Sequence, residues 1–121
     1  ATIVADGPLV PVALAAAEAA VDDGRSIEVI DLRSISPLDV PTVAASVAKT
    51  GRLIVAHEAP TFGGMGGELA AAITERCFYS LQAPVIRVGG YYMPYPISRV
   101  EEEYVPDIDR ILEAVDRAFD Y

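Results

Sequence analysis

Short β-branched runs alternate with helical segments along this chain, and that alternation constrains its fold more than any other feature. Thr2 to Ala5 predicts a first strand. Leu9 to Asp22 is alanine-rich and predicts a helix closed by Asp23-Gly24, since glycine commonly follows a helix C-terminus. Ile27 to Leu32 predicts a second strand, and Arg33 to Leu38 a loop ending near Ser36-Pro37. Asp39 is placed to cap a helix over Val40 to Lys49, where Pro41 is tolerated in the first turn and Gly51 is the stop. Arg52 to Ala56 reads as a third strand, apolar as suits a strand covered on both faces. A glycine-rich loop, a helix over Glu68 to Phe78 and a fourth strand over Val85 to Val88 follow. Gly89 to Ser98 is irregular, rich in Tyr, Pro and Gly. The last helix spans Asp107 to Phe119, with Ile108, Ile111, Leu112, Val115 and Phe119 on one face. Strands joined through helices run parallel, so the pattern predicts a mostly parallel sheet with helices on both faces, a three-layer α/β/α sandwich.

At 121 residues the chain makes one domain, residues 1–121, with no linker or internal repeat. Hydrophobic residues at 52% exclude intrinsic disorder. Leu9 to Val21, the most apolar stretch, is too short to span a membrane and carries Pro11 and Glu18. A net charge of −9 repels phosphate backbones, which argues against nucleic acid and for a basic protein surface as partner. The single cysteine, Cys77, permits no disulfide within the chain and no cysteine-based metal site, and fits a reducing compartment. No basic segment precedes an apolar leader. The chain opens on Ala1, inside a strand and without Met, which reads as a piece of a longer protein.

Four stretches are candidates for chemistry or contact. His57, the only histidine, stands beside Glu58 near the C-terminal end of the third strand, the edge where open α/β sheets bind ligands. HExxH fails because Thr61 occupies the second histidine position, and no GxSxG supplies a nucleophile. His57 therefore reads first as a structural or interface residue. The loop Gly63-Gly64-Met65-Gly66-Gly67 lies where phosphates often bind, but Leu69 breaks GxGxxG, and GK[ST] is absent. Glu58 and Glu68 flank it and oppose an anion, so close packing is the better reading. Tyr91-Tyr92-Met93-Pro94-Tyr95-Pro96 reads as a protein interface or as a loop folded over the sheet edge. Glu101, Glu102, Glu103, Asp107, Asp109, Glu113, Asp116 and Asp120 crowd the last residues, a solvated face or a docking surface for a basic partner. These residues alone leave three readings open: a fragment of a larger enzyme, a small ligand-binding regulator of flavodoxin-like build, or an assembly module.

Ordered strings narrow this. Val29-Ile30-Asp31-Leu32-Arg33-Ser34-Ile35-Ser36-Pro37-Leu38-Asp39 resembles a segment of the transketolase C-terminal domain family. Within it, His57 to Pro60 (HEAP), Gly63 to Ile73 (GGMGGELAAAI), Ala83 to Gly90 (APVIRVGG) and Tyr104 to Ile111 resemble the β subunit of 2-oxo acid dehydrogenases. Cys77-Phe78, Leu81, Ala83-Pro84, Arg87-Val88 and Gly90-Tyr91 are similar to the branched-chain enzyme. Tyr92 and Met93 depart from the family's usual Asp and Thr. A pyruvate dehydrogenase β subunit is the alternative; transketolase and deoxyxylulose-phosphate synthase fit these strings poorly.

The resemblance implies a five-stranded sheet whose first strand runs antiparallel, with the fifth strand near Tyr104-Val105 or in Gly89 to Pro96. It implies a parent enzyme that decarboxylates a 2-oxo acid with thiamine diphosphate and magnesium and passes the acyl group to a lipoyl arm. Catalytic, cofactor and metal residues would lie outside this domain, leaving it inactive alone. Its implied partners are an α subunit and a second β subunit in an α2β2 heterotetramer, and the basic subunit-binding domain of the lipoyl acyltransferase. Subunit contacts are expected at His57, Glu58, Phe62, Gly63, Gly64, Gly66, Gly67, Tyr91, Tyr92 and Tyr95. Acyltransferase docking is expected at Glu101, Glu102, Glu103, Asp107, Asp109 and Tyr121. The expected location is cytoplasmic in a bacterium and the mitochondrial matrix in a eukaryote.

Overall fold

Four of the apolar runs become strands: β1 (Thr2–Ala5), β2 (Glu28–Asp31), β3 (Leu53–Pro60) and β4 (Ile86–Gly90). In the computed structural model, which describes residues 1–121, they form one sheet of order β2-β1-β3-β4. Neighbouring side chains on a strand point to opposite faces, so each central strand feeds two cores. Ile3 and Ile54 enter one core, with α1 (Leu9–Ala19) and α5 (Ile108–Phe119) through Leu9, Ala13, Ile111 and Val115. Val4 and Val55 enter the other, with α2 (Val40–Thr50) and α3 (Met65–Cys77) through Val43, Val47, Leu69 and Ile73. Each fully buried aliphatic contributes about 1.5–3 kcal/mol, more than the roughly 0.5–1.5 kcal/mol net of one hydrogen bond, so these cores dominate the fold's stability. The buried hydroxyl of Thr2 is satisfied at 2.7 Å from both Ser46 Oγ and Thr50 Oγ1.

The three-layer α/β/α class holds, but the strand count and one strand direction do not. β1 runs parallel to both neighbours, with Thr2 opposite Glu28 and Leu53, so the expected antiparallel first strand is corrected. The reason is the connection: α1 carries the chain back along the sheet before β2 starts, and a crossover of that kind delivers a parallel strand. Neither candidate for a fifth strand forms one. Tyr104 closes the short helix α4 (Glu101–Tyr104), which follows a 3-10 turn at Ser98–Val100. The segment after Gly90 carries Pro94 and Pro96, which have no N–H to give a ladder.

Caps fix the helices that bracket the sheet. The Asp39 carboxylate accepts from the Thr42 N–H at 3.2 Å and the Thr42 hydroxyl at 2.7 Å, which holds Asp39 below the ordinary carboxylate range. Gly51 ends α2 at φ 74, a left-handed conformation open to glycine at little cost. Asp107 caps α5 by accepting from the Arg110 N–H at 2.9 Å.

Candidate functional site

Three of the four stretches, His57 with Glu58, the glycine loop and the aromatic segment, meet at the C-terminal edge of β3 and β4. β3 continues past Ala56 through His57, Glu58, Ala59 and Pro60, four residues expected to lie outside the strand. It does so because β4 runs on to Gly90 and pairs with it, Pro60 opposite Gly90, across an irregularity between Ala56 and Pro60. α3 likewise begins at Met65 rather than Glu68, so Gly66 and Gly67 sit in its first turn.

His57 is buried within this corner. Its Nδ1 lies 2.8 Å from the Ala59 carbonyl oxygen; a carbonyl only accepts, so Nδ1 carries the hydrogen. Nε2 is buried with no hydrogen-bond partner. The ring is wedged among glycines. A Cβ on Gly66 would lie 2.5 Å from Nε2 and 2.8 Å from Cδ2, and one on Gly89 would lie 3.0 Å from Cε1. The glycine loop is thus used for close packing of α3 and β4 around an imidazole. Gly63 is exposed at the loop's outer turn, with φ 74.

Outside this corner lies an aromatic surface. Phe62 meets Tyr92 edge-on at 4.7 Å, and both rings are mostly exposed, at 70% and 78%. Tyr91, Met93, Tyr95 and Ile97 are exposed beside them. Tyr91 and Tyr95 pack edge-on against the buried Tyr104, at 6.3 and 5.0 Å. Tyr104 is the anchor of this segment; the sequence places it in the closing family string and at a possible fifth strand, with no anchoring role. The signal available was Gly90, where a Cβ would lie 2.5 Å from the Tyr104 ring. The Tyr95 hydroxyl donates to Glu101, which pushes the phenol up to about 12.

The acidic residues do not gather in one place. Glu101, Glu102 and Glu103 lie on α4, Asp107 is occupied as the α5 cap, and Asp109 sits in the first turn of α5, where the helix dipole favours a carboxylate. Tyr121 lies beyond the other end of α5, about 18 Å of helix away. There it lines a broad groove of about 1410 Å³ with Ala70, Ala71, Thr74 and Phe78 of the α3 side. Tyr79 stands 99% exposed next to Phe78. No cluster of three or more His, Cys, Asp or Glu side chains forms a metal site. His57 packs against the inner side of the glycine turn, at Gly64 and Gly66.

The doubly wound parallel sheet between two helix pairs defines a three-layer α/β/α domain, with His57, the glycine turn and the exposed aromatic residues at the C-terminal edge of β3 and β4. The family model for the transketolase C-terminal domain matches residues 1–111, and the chain belongs to that family. It is 56% identical over its whole length to the pyruvate dehydrogenase E1 component subunit beta of Leifsonia xyli subsp. xyli, covering 36% of that protein. It is 49% identical over 96% of its length to the 3-methyl-2-oxobutanoate dehydrogenase subunit beta of Mycobacterium tuberculosis, covering 34% of it. A mitochondrial 2-oxoisovalerate dehydrogenase subunit beta from Dictyostelium discoideum is 49% identical over 81% of the chain, which covers 26% of that protein. The solved structure of a split-gene transketolase, described as an inactive beta4 tetramer, superposes with a TM-score of 0.79 at 28% identity, covering 98% of this chain and 38% of that one. The chain spans about a third of the length of the curated relatives it matches. No helix is long and apolar enough to cross a membrane.

Proposed function

We propose that this chain is the C-terminal domain of the β subunit of a thiamine-diphosphate-dependent 2-oxo acid dehydrogenase, and that its own work is assembly. The observation that carries this is the exposed aromatic surface of Phe62, Tyr91, Tyr92, Met93 and Tyr95, in the loops that follow β3 and β4. Exposed apolar surface of this kind marks a protein interface. The relatives are named as β subunits of pyruvate and branched-chain 2-oxo acid dehydrogenases, and the parent reaction proposed with them is decarboxylation of a 2-oxo acid and acyl transfer to a lipoyl group, in an α2β2 enzyme. Its location would be the cytoplasm in a bacterium or the matrix in a mitochondrion. Cys77-Phe78 and Gly90-Tyr91 favour a branched-chain substrate; the pyruvate enzyme is the second reading, supported by the 56% identity to a protein of that name.

The aromatic edge is the subunit contact, and the carboxylates of α4 and early α5 dock the basic domain of the acyltransferase. The test is co-expression of the full-length β subunit with its α subunit, followed by sedimentation. Replacing Phe62 and Tyr92 together by Ser is expected to shift the heterotetramer to smaller species while the β subunit keeps its circular dichroism. An unchanged heterotetramer would overturn the assembly role. Turnover of pyruvate against 3-methyl-2-oxobutanoate by the assembled enzyme decides the substrate.

A further inference from the structure

A second cavity, of about 290 Å³, opens between the end of β4, Thr61 and α5. Three arginines line it: Arg87 from β4, and Arg110 and Arg117 from α5. The chain has eight arginines and a net charge of −9, so three converging on one small cavity runs against its overall charge. None of the three makes an ion pair; the three ion pairs in the structure are Arg25–Asp116, Arg33–Asp31 and Lys49–Glu28.

Their hydrogen bonds go to backbone carbonyls, which orient a guanidinium without neutralising it. Arg87 donates to the Thr61 carbonyl at 2.9 Å. Arg110 donates to the Gly89 carbonyl and, at 3.3 Å, to that of Tyr104, and it stacks 4.8 Å from the Tyr91 ring centre. Arg117 has no hydrogen-bond partner. A guanidinium carries five N–H donors, so most of those on the three side chains are unspent. The one carboxylate in the lining is Glu113, four residues before Arg117 at a spacing that suits a surface pair, yet no ion pair forms.

We propose that this cavity binds a small oxyanion, a carboxylate or a phosphate group. Oriented guanidinium forks match those two groups bidentately. The volume lies at the lower edge of small-molecule sites and has room for one such group. Its position outside the carboxyl end of β4 is where open α/β sheets place ligands. The oxyanion has two possible sources, a free molecule and a carboxylate side chain from a neighbouring subunit. The assignment holds whichever larger protein carries this chain.

The test is calorimetric titration of inorganic phosphate and of acetate into the full-length protein at low salt, with and without its partner subunit, and with thiamine diphosphate and magnesium saturating. Saturable binding is expected, weakened about tenfold or more by Arg117→Ala. Glu113→Gln is expected to tighten it about two- to fivefold by removing the like charge. Neither residue is buried, so both variants fold, and an unchanged melting temperature confirms it. Binding to the free protein that disappears on assembly identifies a neighbour's carboxylate as the occupant; binding in both states identifies a free anion. No saturable binding in either state, or binding indifferent to Arg117→Ala, overturns the proposal.

Discussion

At the scale of single residues, the corner around His57 is fixed by what is missing from its neighbours. The imidazole fills space that a Cβ on Gly64, Gly66 or Gly89 would occupy. Gly66→Ala is therefore expected to destabilise by about 1–3 kcal/mol, the usual cost of overpacking a tight core. The cause is testable by a double-mutant cycle read in denaturant. If the ring is the obstacle, Gly66→Ala costs less in a His57→Ala background than alone; equal costs would assign the effect to helix geometry instead. Tyr95 gives an independent check on the aromatic segment. Its phenol is pushed up to about 12 by the hydrogen bond to Glu101, so the folded state holds that proton more tightly than the unfolded chain does. The contribution is complete below the ordinary phenol pKa of about 10 and is lost as pH rises through the folded value. In an absorbance titration, Tyr95 should ionise above the ordinary phenol range. Glu101→Gln should lower that step; a curve unchanged by the substitution would show that the hydroxyl and carboxylate are not paired in solution.

At the scale of elements, α5 separates what packing needs from what solvent tolerates. Ile111, Ala114, Val115 and Ala118 are buried while Glu113, Asp116 and Arg117 are exposed. Ile111→Ala should cost about 2–5 kcal/mol, and Glu113→Ala should stay within about 0.5 kcal/mol, both measured by chemical unfolding. Equal effects would mean that α5 is not docked on the sheet as described. This helix was legible in the sequence because its apolar residues recur at helical spacing, as was α2 because Asp39, Pro41 and Gly51 mark its ends. Other boundaries were set at longer range. β3 runs on through His57 to Pro60 only because β4 is there to pair with it, and a strand's partner is not written in its own residues. α3 starts among glycines, poor helix formers, because the first turn must close over His57. The expected fifth strand came from family likeness, and Pro94 and Pro96 argued against one of its two positions. The aromatic and acidic runs proposed as contacts were legible as runs; that Tyr121 stands at the far end of α5 from Glu101 was not, since only the folded helix separates them.

At the scale of the whole molecule, the excess of 18 acidic over 9 basic side chains sets a negative field around the domain, and the question is whether that field does anything beyond keeping it soluble. Local pairing takes some carboxylates out of play: Asp107 caps α5, Glu101 accepts from Tyr95, and Asp116 pairs with Arg25. Glu102, Glu103 and Asp109 remain exposed and free of such bonds, on neighbouring turns of α4 and α5. If this surface steers a basic domain, the effect must appear first in the association rate and must fade as salt shortens the screening length from about 10 Å at about 0.1 M to about 3 Å at about 1 M. Stopped-flow mixing of the full-length β subunit with the basic subunit-binding domain is the measurement. Reversing Glu102 and Glu103 to Lys should slow association about tenfold or more at low salt and have little effect at high salt, because only the long-range attraction has changed. Reversal at Asp120 is the control for total charge, since it lies at the other end of α5. If the Asp120 variant slows association as much as the α4 variants, net charge alone steers the partner and α4 is not the docking face. If neither slows it, the charge serves solubility, and the aromatic edge of β3 and β4 is left as the surface on which assembly depends.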